Sequence, residues 1–157
     1  MNAIKPKKQP ALKIGQVARK LDIAVETIRM YEREGLIILE KTETGQRLFY
    51  DEDLHWLICI RRLIKDEGLN IEGIRRLLAL LPCWELRPCS LEERRQCPAY
   101  TGALKPCWMI KSQIPVSCRA ENCRECPVYQ NASRCENLKA LLFKIKHQEI
   151  RSLTKPH

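Results

Sequence analysis

The stretch IGQVARKLDIAVETIRMYEREGLI, residues 14–37, decides how the first half of this chain folds. Ile14, Val17, Ala18 and Leu21 recur at i, i+3, i+4 and i+7, the spacing of one apolar helix face. Gly15 opens that helix and Asp22 marks a tight turn after it. A second helix from about Val25 buries Val25 and Ile28 and presents Glu26, Thr27, Arg29, Arg33 and the ring of Tyr31 elsewhere. Two helices joined by a short turn make the helix-turn-helix unit, whose second helix enters the DNA major groove. The same spacing serves any small helical bundle, so periodicity alone leaves both readings open.

Working outward, Glu34-Gly35 breaks the second helix. Leu36–Leu39 and Arg47–Tyr50 are strand-like runs on either side of a turn holding Gly45 and Gln46. A hairpin in that place makes a wing, with Lys41 and Arg47 set to touch phosphate. Asp51, Glu52 and Asp53 supply the acidic start of a third helix, in which Leu54, Leu57, Ile58, Arg61 and Ile64 keep helical spacing to about Asp66. Asn70 caps a fourth helix whose buried side is Ile71, Ile74, Leu77, Leu78 and Leu81. Cys59, among apolar neighbours of the third helix, reads as a buried inert thiol. From Pro82 to about Ser133 a proline interrupts every few residues, so cross-links must stand in for a conventional core. Helical spacing returns from Arg134 to Leu153, with Leu138, Leu141, Leu142 and Ile145 forming a stripe suited to a partner helix. The predicted architecture is therefore mainly α. It comprises a flexible basic arm over 1–12, a winged helix-turn-helix domain over 13–81, a small irregular Cys-rich metal or Fe–S module over 82–133, and a C-terminal helix over 134–153 placed to dimerise.

Composition narrows the function. The chain has 157 residues, with 28 Lys+Arg against 19 Asp+Glu and a formal net charge of +9. The excess is spread evenly, about +3 in each of residues 1–81, 82–135 and 136–157, which suits a polyanionic partner. No run approaches the roughly 18 apolar residues of a membrane span. The basic start has no apolar stretch behind it, so it is no secretory signal, and a cytoplasmic protein is expected.

The motifs of the first half carry a family resemblance. Ile14-Gly15-Gln16-Val17-Ala18, Thr27-Ile28-Arg29-Met30-Tyr31-Glu32, Glu34-Gly35-Leu36-Ile37 and Gly45-Gln46-Arg47 resemble, in that fixed order, the N-terminal domain of MerR-family transcription regulators. Asp53-Leu54 and Glu67-Gly68-Leu69-Asn70-Ile71-Glu72-Gly73-Ile74-Arg75-Arg76 extend the likeness, the latter towards the heat-shock-repressor (HspR-like) branch. The resemblance covers residues 13–81. It implies a homodimer on pseudo-palindromic, double-stranded promoter DNA, a spacer that is bent and untwisted, and RNA polymerase as a further partner. It also implies DNA contacts from Thr27, Arg29 and Tyr31 on the second helix and from Arg47 on the wing, to which Arg33 and Lys41 are added by position. Departures are visible. Met30 stands where many members have a second tyrosine, Gln46 and Phe49 where Tyr is frequent, and Ala24 where a Ser N-cap is usual, forfeiting ~1 kcal/mol of capping. Typical members also reach their long dimerisation helix without a Cys-rich insert.

Eight cysteines, Cys83, Cys89, Cys97, Cys107, Cys118, Cys123, Cys126 and Cys135, lie in one 53-residue stretch. In a reducing compartment such density points to metal or redox chemistry before structural disulfides. Pro82-Cys83-Trp84 recurs as Pro106-Cys107-Trp108, and Cys97-Pro98-Ala99-Tyr100 recurs as Cys126-Pro127-Val128-Tyr129. The segment is thus two unequal copies of one unit, similar to the small two-CW cysteine modules of some bacterial proteins. Cys118-x4-Cys123-x2-Cys126 with a distal Cys135 echoes plant-type 2Fe–2S spacing, while the same four-cysteine pattern holds structural zinc elsewhere. Arg87, Arg94, Arg95, Arg119, Arg124 and Arg134 are interspersed and are expected to lower thiol pKa. Trp84, Trp108, Tyr100 and Tyr129 read as a miniature core; His55, His147 and His157 have no partnered spacing.

The chain is accordingly expected to be a DNA-binding transcription regulator and not an enzyme, its cysteine module sensing redox state or metal through an Fe–S cluster. Zinc is the alternative cofactor, and metal-free thiol–disulfide switching is a third chemistry. Two rival functions remain at this stage. One is a constitutive MerR-like repressor with a structural zinc staple, the other an Fe–S electron-transfer protein. No nucleophile–base pair, phosphate loop or cofactor fingerprint supports catalysis.

Overall fold

The computed structural model describes residues 11–102 and 104–134. It divides into two compact units, one running to Gly68 and the other from Leu69. The first ten residues of the expected arm, and the expected C-terminal helix beyond Arg134 with Cys135, His147 and His157, lie outside the described residues.

The first unit opens on a short bridge. Leu12 N–H donates to the Phe49 carbonyl at 2.8 Å, and Phe49 N–H to the Leu12 carbonyl at 2.9 Å, so Leu12 belongs to the domain rather than to the arm. Helix α1 spans Ile14–Leu21, its first turn closed by Lys13 N–H donating to Gln16 Oε1 at 2.8 Å. Asp22 then turns the chain with φ of 52°, a left-handed conformation that a short acidic side chain tolerates. Helix α2 spans Val25–Arg33 and starts at Ala24 with no side-chain cap, as the missing hydroxyl requires.

The wing is shorter than its sequence suggested. Strands β1 (Glu40–Lys41) and β2 (Arg47–Leu48) pair antiparallel, Glu40 opposite Leu48 and Lys41 opposite Arg47. Thr42 N–H donates to the Gln46 carbonyl at 2.9 Å, and Gly45 takes φ of 83°, which only glycine adopts without strain. Leu36 and Ile37, expected to begin a strand, are buried outside any ladder. The Leu36 carbonyl is satisfied by the Trp56 indole N–H at 2.7 Å instead, so a core residue takes the place of a strand partner.

Helix α3 spans Asp51–Lys65, and the buried Asp53 carboxylate accepts from Tyr50 N–H at 2.9 Å at its start. It carries Leu54, Trp56, Leu57, Ile60 and Leu63 into a core with Val17, Ile28, Tyr31, Leu36, Ile37 and Phe49. Ile58, expected inside, is 52% exposed, because the helix face is centred on Leu57 and Ile60. Arg61 donates to the Leu21 carbonyl at 2.8 Å, satisfying an orphan acceptor at the end of α1. Cys59 is buried as expected, but it stands as a disulfide-bonded residue rather than a thiol. A half-cystine is as apolar as a thiol, so spacing read the burial and not the chemical state.

The second unit starts with α4, Ile71–Ala79, capped by Asn70 Oδ1 accepting from Gly73 N–H at 2.7 Å. Beyond it the aperiodic sequence resolves into single helical turns. These are α5 (Cys83–Leu86), α6 (Leu91–Gln96), α7 (Pro98–Thr101), a 3-10 turn (Cys107–Met109), α8 (Val116–Arg119) and the longer α9 (Pro127–Arg134). The repeats explain the turns. In both Pro-Cys-Trp motifs the proline caps a helical turn whose first residue is the cysteine, and in both Cys-Pro motifs the proline occupies the first helical position. No helix among the described residues is long and apolar enough to cross a membrane.

Candidate functional site

Two separate surfaces carry chemistry, one in each unit. On α2, Arg29 and Arg33 are exposed and Thr27 is half-buried. Arg29 is lightly held by Glu26 at 3.2 Å, one turn back, a pair that water and phosphate compete with easily. Tyr31, expected to be presented outward, is only 4% exposed and belongs to the core, where burial pushes its hydroxyl above the usual tyrosine range and the Arg61 charge opposes that. Its position four residues after Thr27 and three after Ile28 places it on the inner side of the helix.

The wing cations are not loose. Glu32, at the inner end of α2, accepts from Lys41 Nζ at 2.9 Å and from Arg47 Nε at 2.5 Å. One carboxylate thereby fastens both strands of the wing to α2. Burial alone would raise the Glu32 carboxyl, but the hydrogen bonds and charges of Lys41 and Arg47 together outweigh it and hold it below the usual carboxylate range. Motif reading missed Glu32, although it stands within the family phrase Arg29-Met30-Tyr31-Glu32; only the folded hairpin shows which cations it meets.

In the second unit, all seven described cysteines of the module line one cavity: Cys83, Cys89, Cys97, Cys107, Cys118, Cys123 and Cys126. The eighth, Cys135, lies outside the described residues. Each copy is closed by its own aromatic pair. Trp84 meets Tyr100 edge-on at 4.9 Å between ring centroids, and Trp108 meets Tyr129 edge-on at 5.3 Å. Of the four rings their spacing suggested as a core, Tyr129 is buried, Trp84 and Trp108 are half-buried and Tyr100 is 42% exposed, and Ile114, Val128 and Ala132 are buried in the same unit.

Three of the thiols, Cys83, Cys107 and Cys118, are raised rather than lowered as the interspersed arginines predicted. Burial first, then repulsion from Cys97, Cys89 and Cys118, pushes Cys83 up to about 11. Burial, then Cys83, Cys126, Cys123 and Cys118, pushes Cys107 up to about 12. Cys118 is raised by burial even though Arg87 pulls it down. At these three the arginines lose because burial penalises the thiolate and neighbouring sulfurs add like charge. Arg87 is moreover already engaged, donating to Glu121 Oε1 at 2.6 Å, to the Ser117 carbonyl at 2.8 Å and to Cys118 Sγ at 3.1 Å. That Glu121 bond, ahead of all else, drives the Arg87 guanidinium further up.

This donor set fits a bound cation or cluster. Buried thiols that repel one another ionise together only if positive charge enters among them, which a soft metal supplies. Around the same cavity the Arg94 Nε is buried without a hydrogen-bond partner among the described residues, and its guanidinium lies 5.7 Å from the Tyr100 ring centroid. A cluster ligated by thiolates is anionic overall, and a guanidinium left facing it is compatible with that charge. Among the described residues no three of His, Cys, Asp or Glu converge tightly enough to grip a single metal ion.

Comparison with known proteins agrees with the geometry of the first unit. Residues 12–81 match the MerR HTH family regulatory protein model. Members of the family are DNA-binding transcription regulators and not enzymes. The chain is similar to Heavy metal-dependent transcription regulator 2 of Rhizobium meliloti (strain 1021), 26% identical over 128 residues, covering 76% of this chain and 84% of that one. It is similar to the transcriptional regulator ZntR of Escherichia coli (strain K12), 36% identical over 69 residues, which are 43% of this chain and 48% of the relative. It also resembles the putative heat shock protein HspR of Streptomyces coelicolor (strain ATCC BAA-471 / A3(2) / M145), 31% identical over 71 residues, 45% and 47% of the two chains. No solved structure gives a significant match.

Proposed function

We propose that this protein is a cytoplasmic, homodimeric transcription regulator that senses redox state or metal through a polynuclear iron–sulfur cluster held by its cysteine module. The observation that carries the sensing half is the ring of seven cysteines around one cavity in the same chain as a MerR-type DNA-binding domain. Thr27, Arg29 and Arg33 on α2 meet base edges and phosphate, while Lys41 and Arg47 of the wing grip the backbone and fix register. Cysteines drawn from Cys83, Cys89, Cys97, Cys107, Cys118, Cys123, Cys126 and Cys135 hold the cluster. When bound, the cluster supplies a charge that changes with electron gain, loss or oxygen attack. Relatives named as metal-dependent regulators support a metal in the signal, and seven cysteines lining one cavity are more thiols than one zinc ion takes. Changing the cluster alters the geometry of the two reading heads and so the bending of promoter DNA presented to RNA polymerase. DNA deformation costs only roughly 1–6 kcal/mol, so a modest shift suffices.

The test is purification without oxygen, followed by visible absorption with iron, zinc and acid-labile sulfide analysis, and by DNA footprinting before and after oxidation. Iron with sulfide, and a footprint that changes on oxidation, is the expected result. A colourless zinc protein with an unchanged footprint overturns the sensor and leaves the zinc-stapled repressor. Arg29→Ala together with Arg47→Ala should abolish footprinting while leaving metal content intact; footprinting that survives both changes overturns the assigned surface.

A further inference from the structure

The two sequence copies are stitched together beside one sulfur. Arg87 stands between Cys83 and Cys89 in the first copy, yet its guanidinium reaches the second. One terminal nitrogen donates to Cys118 Sγ at 3.1 Å, and the other to the Ser117 carbonyl at 2.8 Å and to Glu121 Oε1 at 2.6 Å. Glu121 is also held at its backbone, where Lys111 Nζ donates to its carbonyl at 2.8 Å. A further bond ties the same turn to the first copy: Ser117 Oγ donates at 2.9 Å to Glu93 Oε1 of α6. Helix α8, which carries Cys118, is thus docked against the first copy through two anchors, Arg87 and Glu93. Arg94 and Arg119, by contrast, donate to the carbonyls of Cys89 and Ser112.

A guanidinium is planar, rigid and always charged, so fixing one arm fixes the direction of the other. The Glu121 carboxylate and the Ser117 carbonyl pin one nitrogen, and the second is left aimed at the Cys118 sulfur. The Arg87 side chain is only 19% exposed, which shields its N–H···S bond from competing water. Resting on the cluster reading above, we propose that Cys118 is a ligand of the cluster and that Arg87 tunes the cluster's electron affinity through that sulfur. Hydrogen bonds to ligand sulfurs are among the determinants of cluster potential, because the donor draws negative charge off the thiolate. Reduction adds one negative charge, so the N–H···S bond is stronger in the reduced state and raises the potential. Arg87 is a positioning residue. No bond to it breaks and no proton leaves it, and the electron comes from an external one-electron donor.

The test uses the full-length protein purified without oxygen and titrated with dithionite, which gives up its electrons and ends as sulfite. The visible band and electron paramagnetic resonance report the reduced fraction. Arg87→Gln should keep its iron and sulfide but lower the equilibrium constant for reduction about 10-fold, or about 59 mV for a one-electron couple. Arg87→Lys, which keeps the charge without the fork, should fall in between. Arg95→Gln removes the same charge from an exposed position of α6 and should leave the potential where it is. N-Ethylmaleimide should label Cys118 only after the loaded protein is chelated under denaturant. An unmoved potential in Arg87→Gln at full iron content, an equal shift in Arg95→Gln, or free labelling of Cys118 in the loaded protein overturns the inference and leaves the cluster reading standing. Loss of iron from both Arg87 variants makes the residue a brace of the fold and overturns the tuning as well. A protein that carries zinc, or no metal, overturns the cluster reading itself.

Discussion

The two units of this protein solve the problem of stability by different means. Up to Gly68, large apolar side chains do the work: Trp56, Phe49, Ile28, Leu36, Leu57 and Ile60 are essentially fully buried around α3. In the cysteine module the buried apolar side chains are few, Ala99, Ile114, Val128, Tyr129 and Ala132 among the described residues, and seven half-buried cysteines line its cavity. An apolar core is complete once the chain has folded. On the proposed reading the sulfur-lined cavity is complete only when its ligand arrives, because ligation replaces the burial that an apolar core supplies.

That contrast can be broken or sharpened by experiment. The largest effect is expected from stripping metal with a strong chelator without oxygen. Limited proteolysis should then cut between about residues 82 and 134 while residues 12–68 stay protected, and equal loss in both units would end the contrast. Trp56→Ala should cost about 3–5 kcal/mol in urea unfolding of the first unit, since it opens a cavity and orphans the Leu36 carbonyl, yet leave metal content per chain unchanged. Asn70→Ala should cost ~1 kcal/mol in the second unit by unsatisfying Gly73 N–H at the start of α4, with Asn70→Ser close to neutral.

A smaller effect is expected from Glu32→Gln, up to about 1 kcal/mol by chemical denaturation. Its pH dependence has a definite sign. The folded-state carboxyl lies below its ordinary value, so the ion pairs stabilise the fold above the unfolded pKa and are lost as pH falls through the folded one. The difference between the unsubstituted protein and Glu32→Gln should therefore vanish towards acid pH; a gap that widens there would show that the carboxylate is not the stabilising form. The smallest expected change is a gain: Ala24→Ser should raise stability by a fraction of 1 kcal/mol by capping α2.

How legible each unit was follows from the same contrast. Helices α1 to α4 were readable because an apolar face repeats at 3.6 residues and their ends carry Asp22, Gly35, Asp51–Asp53 and Asn70. Where the reading slipped, a tertiary contact had replaced a local one. Leu36 bonds an indole instead of a strand, and the Tyr31 ring turns into the core rather than towards DNA. In the module the repeated Pro-Cys-Trp and Cys-Pro-x-Tyr motifs announced two copies, and the folded aromatic pairs follow them. What spacing could not convey is that α8 leans across onto the first copy, because the signal for it is a pair of hydrogen-bonded anchors 24 and 34 residues apart in the chain. Short metal-ligand spacings show which thiols can meet locally. They say nothing of a cysteine delivered by a neighbouring turn.

Glu32 has one more consequence, and it concerns salt. A protein binding DNA normally gains affinity by expelling the small cations condensed on each phosphate that its own cations replace. Here Lys41 and Arg47 arrive already sharing a carboxylate, so the wing and its anchor carry one net positive charge rather than two. The protein brings its own counter-ion. Operator affinity should consequently fall with ionic strength less steeply than a count of wing cations implies, by about one unit of logarithmic slope, and Glu32→Gln should restore the missing steepness.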